Sequence, residues 1–345
     1  MQFNLKSLAL AGVALAMATG AAQARDQIRI VGSSTVFPFS TAVAEQFGQT
    51  SGFPTPVVES TGSGGGLKLF CSGVGEEFPD ITNASRRIKD SEVATCAENG
   101  VADIIEVKIG FDGIVLANSR TEPHMNISIP QLWQALATNV PDADGNLIAN
   151  PYTTWSEIDP SLPNYKIRVM GPPPTSGTRD AFVELVMDGG CKAFPSVAAL
   201  KEADKDHFEE VCQSIREDGA FVEAGENDNL IVQKLEADPE AFGIFGFSFL
   251  DQNVDKLQGS AIDGVDPTFD NISTGDYPVS RSLYFYVKKA HIGVVPGIQE
   301  YIEAFTSEDA WGPFGYLADK GLIPLPDADR EDARENARGG MLLSM

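Results

Sequence analysis

Short apolar runs alternate with helical patterns along the first hundred residues. An apolar run at residues 27–31 is followed, at residues 39–47, by apolar side chains three and four positions apart, as on one face of a helix. Residues 56–60 repeat the order, with a helix expected from about Leu67, and residues 79–87 begin it a third time. A strand–turn–helix unit that repeats in this way is typical of an α/β fold.

The middle and the end of the chain hold the strongest strand patterns. Residues 101–116 are mostly apolar, and the Gly-Phe-Asp-Gly segment at residues 110–113 should interrupt that strand. Asp112 fits a turn residue about as well as an acceptor that faces a closed site, because an acid inside an apolar strand is costly unless it is paired. Residues 243–247 and 283–287 predict two more strands.

The sequence Ser176-Gly177-Thr178 marks the start of a helix. Three prolines precede it and cannot continue a regular element, and the apolar side chains that follow recur at helical spacing. The first turn of a helix has unpaired backbone N–H groups at the positive end of the helix dipole, which suits an anion. Taken alone, however, the tripeptide is better explained as an ordinary helix cap.

Hydroxyl-bearing residues recur at the other predicted strand-to-helix turns. They are Ser34 and Thr35, Ser63, and Ser85, which is followed by Arg86. Ligands of α/β sheets bind beyond the carboxyl ends of the strands, where the first turns of helices converge. Four such turns together therefore favour an anion site over four independent caps.

The N-terminus has the features of a secretory signal. Lys6 precedes an apolar run at residues 8–17, and small residues at 22 and 24 form a cleavage site, so residues 1–24 are expected to be removed. No later run has the roughly 18 apolar residues of a membrane span. We therefore expect a soluble, exported protein, and its remaining length of about 320 residues predicts two domains.

The four cysteines, Cys71, Cys96, Cys191 and Cys212, lie in the part that is expected to be exported. Disulfide bonds are the usual state of cysteine in that environment. Spacing alone cannot separate the three possible pairings, but the pairing of near neighbours, Cys71 with Cys96 and Cys191 with Cys212, is preferred. Zinc is the weaker interpretation, because no C-x-x-C motif or nearby histidine completes a ligand set. We expect neither a metal nor a cofactor.

The chain is strongly acidic, with a formal net charge of −24. Nucleic acid is therefore not expected as a partner, since its binding needs a basic face. A small anion is still compatible with this charge, because exposed charges more than about 8 Å away are largely screened at physiological salt. The Gly-rich turn at residues 61–66 fits neither of the common nucleotide-binding motifs.

A hydrolase would need a base within reach of its nucleophile. The three histidines, His124, His207 and His291, are isolated in polar surroundings, and we interpret them as surface residues. Neither a G-x-S-x-G nor an H-E-x-x-H motif occurs. The sequence therefore does not predict an enzyme.

Five segments occur in a distinctive order along the chain. They are Gly32-Ser33-Ser34-Thr35, Thr61-Gly62-Ser63-Gly64-Gly65-Gly66, Asn83-Ala84-Ser85-Arg86-Arg87-Ile88-Lys89, Gly113-Ile114-Val115-Leu116-Ala117-Asn118 and Thr175-Ser176-Gly177-Thr178. In this order they resemble the motifs of periplasmic phosphate-binding proteins of Pst-type ABC importers. Each motif is weak alone, but the likeness covers the whole mature chain.

The resemblance implies an α/β architecture of two lobes, the type II periplasmic binding protein fold, with a mixed sheet flanked by helices in each lobe. The first lobe should comprise residues 25–110 and 280–345, and the second lobe residues 111–279, with a hinge near Asp112 and Pro278. The resemblance also implies a monomeric, non-enzymatic periplasmic protein that closes on inorganic phosphate and delivers it to the membrane permease of an ABC importer. The alternatives are a binder of sulfate, molybdate or arsenate, or a secreted phosphate-ester hydrolase.

The resemblance further implies a set of donors that bind phosphate through hydroxyl and backbone N–H groups. By position they are Ser34, Thr35, Ser63, Ser176, Gly177 and Thr178. A one-residue ambiguity in the alignment leaves Val36 possible in the first turn.

Two charged positions depart from the family pattern. The best-known relatives have a carboxylate where this chain has Arg86, and an arginine where this chain has Pro172. We hypothesise that Arg86 supplies the positive charge instead and that Asp112 supplies the acceptor, which would take the proton of phosphate and repel sulfate. Arg179 is expected to support the site or to join the lobes without contacting the ligand.

Overall fold

The structure is a computed structural model that describes residues 25–174, 176–225 and 228–344. The predicted signal sequence, residues 1–24, and Thr175 of the last motif lie outside the described residues. Of the helices in the described ranges, none is long and apolar enough to cross a membrane.

Most strands are short, and two are long. The strands are β1 Arg29–Gly32, β2 Val57–Ser60, β3 Ile81–Ala84, β4 Ile104–Ser119, β5 Asn126–Ile127, β6 Asn139–Pro141, β7 Leu147–Ala149, β8 Val169–Gly171, β9 Phe221–Glu223, β10 Phe242–Gly246, β11 Leu257–Gly259, β12 Ala261–Ile262 and β13 Ser280–Lys288.

The helices lie between and after these strands. They are α1 Phe37–Thr50, α2 Ser63–Phe70, α3 Asp90–Glu98, α4 Ile129–Leu136, α5 Trp155–Ile158, α6 Gly177–Phe182, α7 Asp188–Cys191, α8 Pro195–Ala198, α9 Leu200–Ala203, α10 Lys205–Gln213, α11 Asp228–Ala237, α12 Phe247–Asp251, α13 Phe269–Thr274, α14 Ile298–Phe305, α15 Glu308–Trp311 and α16 Asp327–Arg338. A π-helical turn, Val183–Met187, joins α6 to α7, and 3₁₀ turns lie at Lys289–His291 and Ala318–Lys320.

One mixed sheet runs through the molecule in the order β2-β1-β3-β13-β4-β10-β8-β9, with β11 also paired to β4. β1 is parallel to β2 and β3, whereas β13 and β4 are antiparallel neighbours. β4 is 16 residues long. It pairs with β13 over its first part and with β10 and β11 over its last part, so both halves of the sheet share this strand.

Apolar side chains form separate cores on the two halves of the sheet. One core contains Trp133 and Phe242 and surrounds the half that holds β8 and β10. The other contains Phe47 and Phe285 and is accompanied by a smaller cluster around Phe70. The predicted α/β architecture with two lobes is therefore confirmed.

The residue limits predicted for the two lobes, 25–110 with 280–345 and 111–279, stay a prediction. The C-terminal part of the chain contacts both cores, which those limits do not anticipate. Ile323 packs in the core of the second lobe. It also exchanges two backbone hydrogen bonds with Phe111, at 2.8 and 3.0 Å.

The predicted interruption of the strand at residues 110–113 was wrong, because β4 is continuous there. The only irregularity in its pairing with β13 is a register shift between Leu283 and Tyr284. Gly110 has φ +150°, and a Cβ at this position would lie 2.4 Å from the carbonyl oxygen of Ile323. The glycine therefore allows close packing within a strand and does not end the strand.

The preferred disulfide pairing is confirmed. Cys71 is bonded to Cys96 and Cys191 to Cys212, across 25 and 21 residues of sequence. The first bond joins the end of α2 to α3, and the second joins the end of α7 to α10. Loops of about this length give roughly 3 kcal/mol of stabilisation per bond in the chain-entropy model.

Candidate functional site

Three parallel strands deliver hydroxyl-bearing turns to one edge of the first lobe. Gly32, at the end of β1, is the register partner of Ser60 in β2 and of Asn83 in β3. The turns that follow these strands therefore lie side by side. They carry Ser34 and Thr35 after β1, Ser63 after β2 and Ser85 after β3.

The Gly-rich segment is the first turn of α2, which begins at Ser63 and not near Leu67 as predicted. Gly62 precedes the helix with φ +71°. A Cβ at Gly66 would lie 2.4 Å from the Cα of Gly32. Because Gly66 and Gly32 have no side chains, the start of α2 packs directly against β1.

Ser63 and Ser85 form a hydrogen-bonded pair. Their hydroxyl oxygens are 3.0 Å apart, and the backbone N–H of Ser85 donates to the Ser63 hydroxyl oxygen at 3.0 Å. Ser85 is buried and Ser63 is half-buried. Ser85, which belongs to one of the four predicted hydroxyl-bearing turns but not to the predicted set of donors, therefore holds the Ser63 hydroxyl in place.

The second lobe contributes the start of α6. Ser176 is its N-cap, and its hydroxyl accepts the backbone N–H of Thr178 at 3.2 Å, so the predicted helix start is confirmed. A Cβ at Gly177 would lie 3.0 Å from the Ser34 carbonyl oxygen and 3.2 Å from the Thr35 Cα. The start of α6 therefore touches the first hydroxyl turn of the other lobe.

Two cavities adjoin the turn that holds Ser34 and Thr35. The larger has a volume of about 430 Å³, and the predicted site residues that line it are Ser34, Thr35, Asp112, Ser176, Gly177 and Thr178. The smaller has a volume of about 180 Å³, and the predicted site residues that line it are Ser34, Thr35, Ser63 and Arg86. The structure thus brings all eight predicted residues to two adjacent spaces, with the Ser34–Thr35 turn common to both.

Arg281 is a residue of this region that sequence reasoning missed. It lies on β13 directly opposite Asp112 on β4, and its side chain is only 7% exposed. Its guanidinium donates to the Thr35 hydroxyl, and its Nη1 lies 2.6 Å from the Glu184 carboxylate. A charged residue near a predicted strand was the only local signal, because the register between β13 and β4 cannot be read from the sequence.

Asp112 faces the larger cavity and is paired with Arg281. Its Oδ2 lies 3.4 Å from the Arg281 Nε, and its side chain is 12% exposed. Burial raises the pKa of Asp112, and the positive charge of Arg281 opposes that rise. Of the two interpretations from sequence, the turn residue does not fit, because Asp112 lies inside a continuous strand. Its role as an acceptor for a ligand remains a prediction.

Arg86 lines the smaller cavity but is held by Glu92. Its two terminal nitrogens lie 2.9 and 2.7 Å from the Glu92 carboxylate oxygens. Glu92 also accepts the backbone N–H of Lys89 at 2.9 Å at the start of α3. The hydrogen bond that Arg86 donates to the Glu92 carboxylate raises the pKa of Arg86. The role predicted for Arg86, the positive charge of the site, stays a prediction, and Glu92 is a competing partner that the sequence reasoning did not weigh.

Arg179 packs within the second lobe. Its Nη1 donates to the Pro172 carbonyl oxygen at 3.2 Å, and its guanidinium lies 4.6 Å from the ring centroid of Phe221. These contacts support the segment that leads into α6. They do not join the lobes, which was one of the two roles considered for this residue.

His124 and His207 are exposed, as predicted, but the prediction for His291 was wrong. His291 is buried, with its Nδ1 2.6 Å from Asp80. Asp80 is also fully buried and accepts a second hydrogen bond, from Arg25 at 2.6 Å. This partner, distant in sequence, explains the burial. None of the three histidines lines either cavity.

Helix starts from two lobes that meet at one turn are the arrangement of a protein that closes around a small ligand. Residues 17–309 match the family model described as the PBP superfamily domain. The match covers most of the chain, and the protein belongs to this superfamily.

Individual relatives agree with this assignment. Protein SphX of Synechococcus elongatus is 32% identical over 272 residues, which is 76% of this chain and 69% of the relative. The phosphate-binding protein PstS of Staphylococcus saprophyticus is 28% identical over 305 residues, or 86% of this chain and 80% of the relative. A crystal structure of a possible phosphate binding protein from Planctomyces limnophilus has a TM-score of 0.69 and 27% identity, with 91% of this chain and 98% of that chain covered.

Proposed function

We propose that the protein binds inorganic phosphate between its lobes and delivers it to the membrane permease of an ABC importer. The observation that carries this proposal is the contact between Gly177 at the start of α6 and the Ser34–Thr35 turn. That contact places hydroxyls and helix N-termini of both lobes around one small region. The phosphate-binding relatives supply the identity of the anion.

The donors suit a small oxyanion for physical reasons. The N–H groups at the starts of α1, α2 and α6 have no partner within the helix and lie at the positive end of its dipole. Hydrogen bonds to a charged acceptor contribute roughly 1.5–3 kcal/mol each, about twice the value for neutral pairs. The donors Ser34, Thr35, Ser63, Ser176, Gly177 and Thr178 can therefore bind an anion in a strongly acidic protein.

Asp112 is the residue that we expect to separate phosphate from sulfate. Monohydrogen phosphate has a proton to donate to an ionised carboxylate, whereas sulfate has none and is repelled. The Asp112 Oδ2 forms an ion pair with Arg281 but has no hydrogen-bond partner within the described residues, so it keeps the capacity to accept that proton. One charge-assisted bond is enough for about tenfold discrimination.

The remaining expectations complete the proposal. The superfamily is one of binding proteins, and we expect the chain to act by stoichiometric binding without turnover. We also expect a periplasmic monomer, exported through the predicted signal at residues 1–24. Nucleic acid is not expected as a partner of a chain with this charge.

Isothermal titration of the mature protein, stripped of bound phosphate, tests the proposal. Phosphate should bind with a single site per chain, and sulfate should bind at least about tenfold more weakly. A parallel assay with a chromogenic phosphate ester should release no product beyond the buffer control. Tighter binding of sulfate or molybdate than of phosphate, or catalytic ester hydrolysis, would overturn the assignment in favour of one of the alternatives.

A further inference from the structure

We propose that Arg281 supplies the positive charge to the bound oxyanion, and that Glu184 occupies Arg281 until the oxyanion displaces it. This inference rests on the proposed function, because it concerns the same cleft. It replaces Arg86 with Arg281 as the main cation of the site and gives the cleft a carboxylate that competes with the ligand.

The position of Arg281 is fixed from several sides. It is the cross-strand neighbour of Asp112, and its side chain is almost fully buried. It donates to the hydroxyl of Thr35, and Thr35 lines both cavities. Arg281 itself lines the smaller cavity. A guanidinium at this point can reach an anion that is bound by the Ser34–Thr35 turn.

Part of the hydrogen-bonding capacity of this pair is unused. Arg281 Nε and Asp112 Oδ2 are both buried, and neither has a hydrogen-bond partner in the part of the chain that the structure describes. The two atoms are 3.4 Å apart, but the geometry does not make a hydrogen bond. The two atoms form an ion pair without a hydrogen bond, so each keeps hydrogen-bonding capacity that an oxyanion able to accept and donate protons could use.

Glu184 differs from Asp112 in how easily it can leave. Its carboxylate lies 2.6 Å from Arg281 Nη1, yet its side chain is 56% exposed. Exposed ion pairs contribute only about 0.2–1 kcal/mol. A carboxylate presents the same acceptor geometry as a phosphate edge. Glu184 can therefore stand in for an oxyanion on Arg281 and swing into solvent when phosphate arrives.

Arg86 lacks this freedom. Its partner Glu92 accepts two of its N–H groups and also holds the backbone N–H of Lys89 at the start of α3. Release of Arg86 would break both of its hydrogen bonds to a carboxylate that the start of α3 also holds in place. The pair Arg281–Glu184 is therefore the exchangeable one, and Arg86–Glu92 is the fixed one.

The charges in the smaller cavity favour displacement. Asp180 and Glu184 both line it, beside Arg86 and Arg281. A phosphate dianion placed next to Glu184 would be repelled at short range. Movement of Glu184 away from Arg281 removes the nearest negative charge and frees the Arg281 Nη1 donor for the ligand.

The decisive variant is Glu184→Gln, because the proposal and its opposite predict different signs. If Glu184 competes with phosphate, its neutralisation should tighten phosphate binding about two- to fivefold by isothermal titration. If the Glu184–Arg281 pair instead holds the lobes closed, the same change should weaken binding. Equal or weaker binding would overturn the proposal. Glu209→Gln is the matched control, since Glu209 is a half-exposed acid of the second lobe that pairs with Lys205 at 2.8 Å and lines neither cavity.

A second pair of variants compares the two arginines. Arg281→Gln should weaken phosphate binding at least about tenfold, and Arg281→Lys should recover part of the loss. Arg86→Gln should change affinity less than about threefold. The reverse order of the two losses would assign the positive charge to Arg86 and overturn the proposal.

Folding is checked separately, because Arg281→Gln leaves Asp112 buried without its cation. The double variant Asp112→Asn with Arg281→Gln keeps a neutral pair, and its phosphate-free melting temperature should stay close to that of the parent. It should still bind phosphate at least about tenfold more weakly than Asp112→Asn alone. If that further loss is absent, the proposal fails. If the unmodified protein does not bind phosphate at all, the proposed function fails instead.

Discussion

In the first lobe, Ser34, Thr35 and Ser63 follow parallel strands, and glycine contacts fix the start of α2 against β1. In the second lobe, the donors at the start of α6 follow a run of prolines and rest on a helical segment that contains a π-helical turn. The donor turns of the first lobe, which we call the first wall, are thus part of a sheet edge. The donors of the second lobe, which we call the second wall, lie at the end of a long helical segment. We expect substitutions among the donor turns of the first wall to alter stability and binding together, and substitutions among the donors at the start of α6 to alter binding alone.

Each wall has its own disulfide, which lies at the far end of the helical segment that carries the donors. Cys71 follows α2 directly, and Cys191 ends the segment that begins at Gly177. The first bond is eight residues from Ser63, and the second is about twice as far from the donors that it supports.

Removal of each disulfide is expected to have the largest effect among the tests of this comparison. Cys71→Ser with Cys96→Ser, and Cys191→Ser with Cys212→Ser, should each lower the free energy of unfolding by about 3 kcal/mol in urea titrations. Only the first pair should also weaken phosphate binding measurably, because its bond lies close to the donors. Equal losses of affinity in both double variants would mean that distance from the bond does not matter.

Gly66→Ala tests the packing of the first wall. The added methyl group would lie 2.4 Å from the Gly32 Cα and 2.7 Å from the Thr82 hydroxyl, so backbone must move. We expect a loss of about 1–3 kcal/mol of stability and weaker phosphate binding. Gly65→Ala is the control in the same turn, because its methyl group meets Thr61 at an ordinary 3.6 Å. Stability of that control should be unchanged or higher by up to about 1 kcal/mol.

Gly177→Ala tests the contact between the walls. Its methyl group would press on Ser34 and Thr35 of the other lobe at 3.0–3.2 Å, which hinders closure without disturbing either core. Phosphate affinity should fall about tenfold, while the melting temperature without phosphate stays within about 2 °C. Gly189→Ala in the same helical segment meets Ile129 at 3.5 Å and should leave affinity unchanged. An equal loss of phosphate affinity in both variants would mean that the substitutions act through the helix and not through the contact between the walls.

The smallest expected effect is a dependence of anion selectivity on pH. Burial raises the pKa of Asp112, so its carboxyl gains a proton at a higher pH than an exposed aspartate would. A protonated Asp112 donates to sulfate and no longer repels it. Sulfate affinity should therefore rise, by up to about tenfold, as the pH falls through that pKa. In Asp112→Asn the rise should be absent; a rise of equal size there would exclude Asp112 as its cause.

Local patterns predicted much of this molecule. The strand–turn–helix repeat, the helix start at Ser176 and the two disulfides depend on neighbours in sequence, and they were confirmed. Errors arose where distant segments meet. The continuity of β4 depends on pairing with β13, and the burial of His291 depends on Asp80 more than two hundred residues earlier.

The residues of the candidate site also divide into those that local sequence predicts and those that depend on distant segments. Every predicted donor lines one of the two cavities, because the donors sit in turns whose position follows from local sequence. The proposed cation could not be found in this way. Arg281 can be recognised as a residue of the site only from two features of the fold. The register between β13 and β4 places it opposite Asp112, and it contacts Glu184, which is nearly a hundred residues away in the sequence.

The continuous strand β4 also bears on how the lobes can move. Its first part belongs to one lobe and its last part to the other, with no intervening loop. A hydrogen-bonded ribbon resists stretching but twists readily, since strand pairs tolerate a wide range of twist angles. Such a connection works as a torsion spring. We therefore expect opening to proceed as an elastic twist of the ribbon with its hydrogen bonds intact, which would return each lobe to the same register after every cycle.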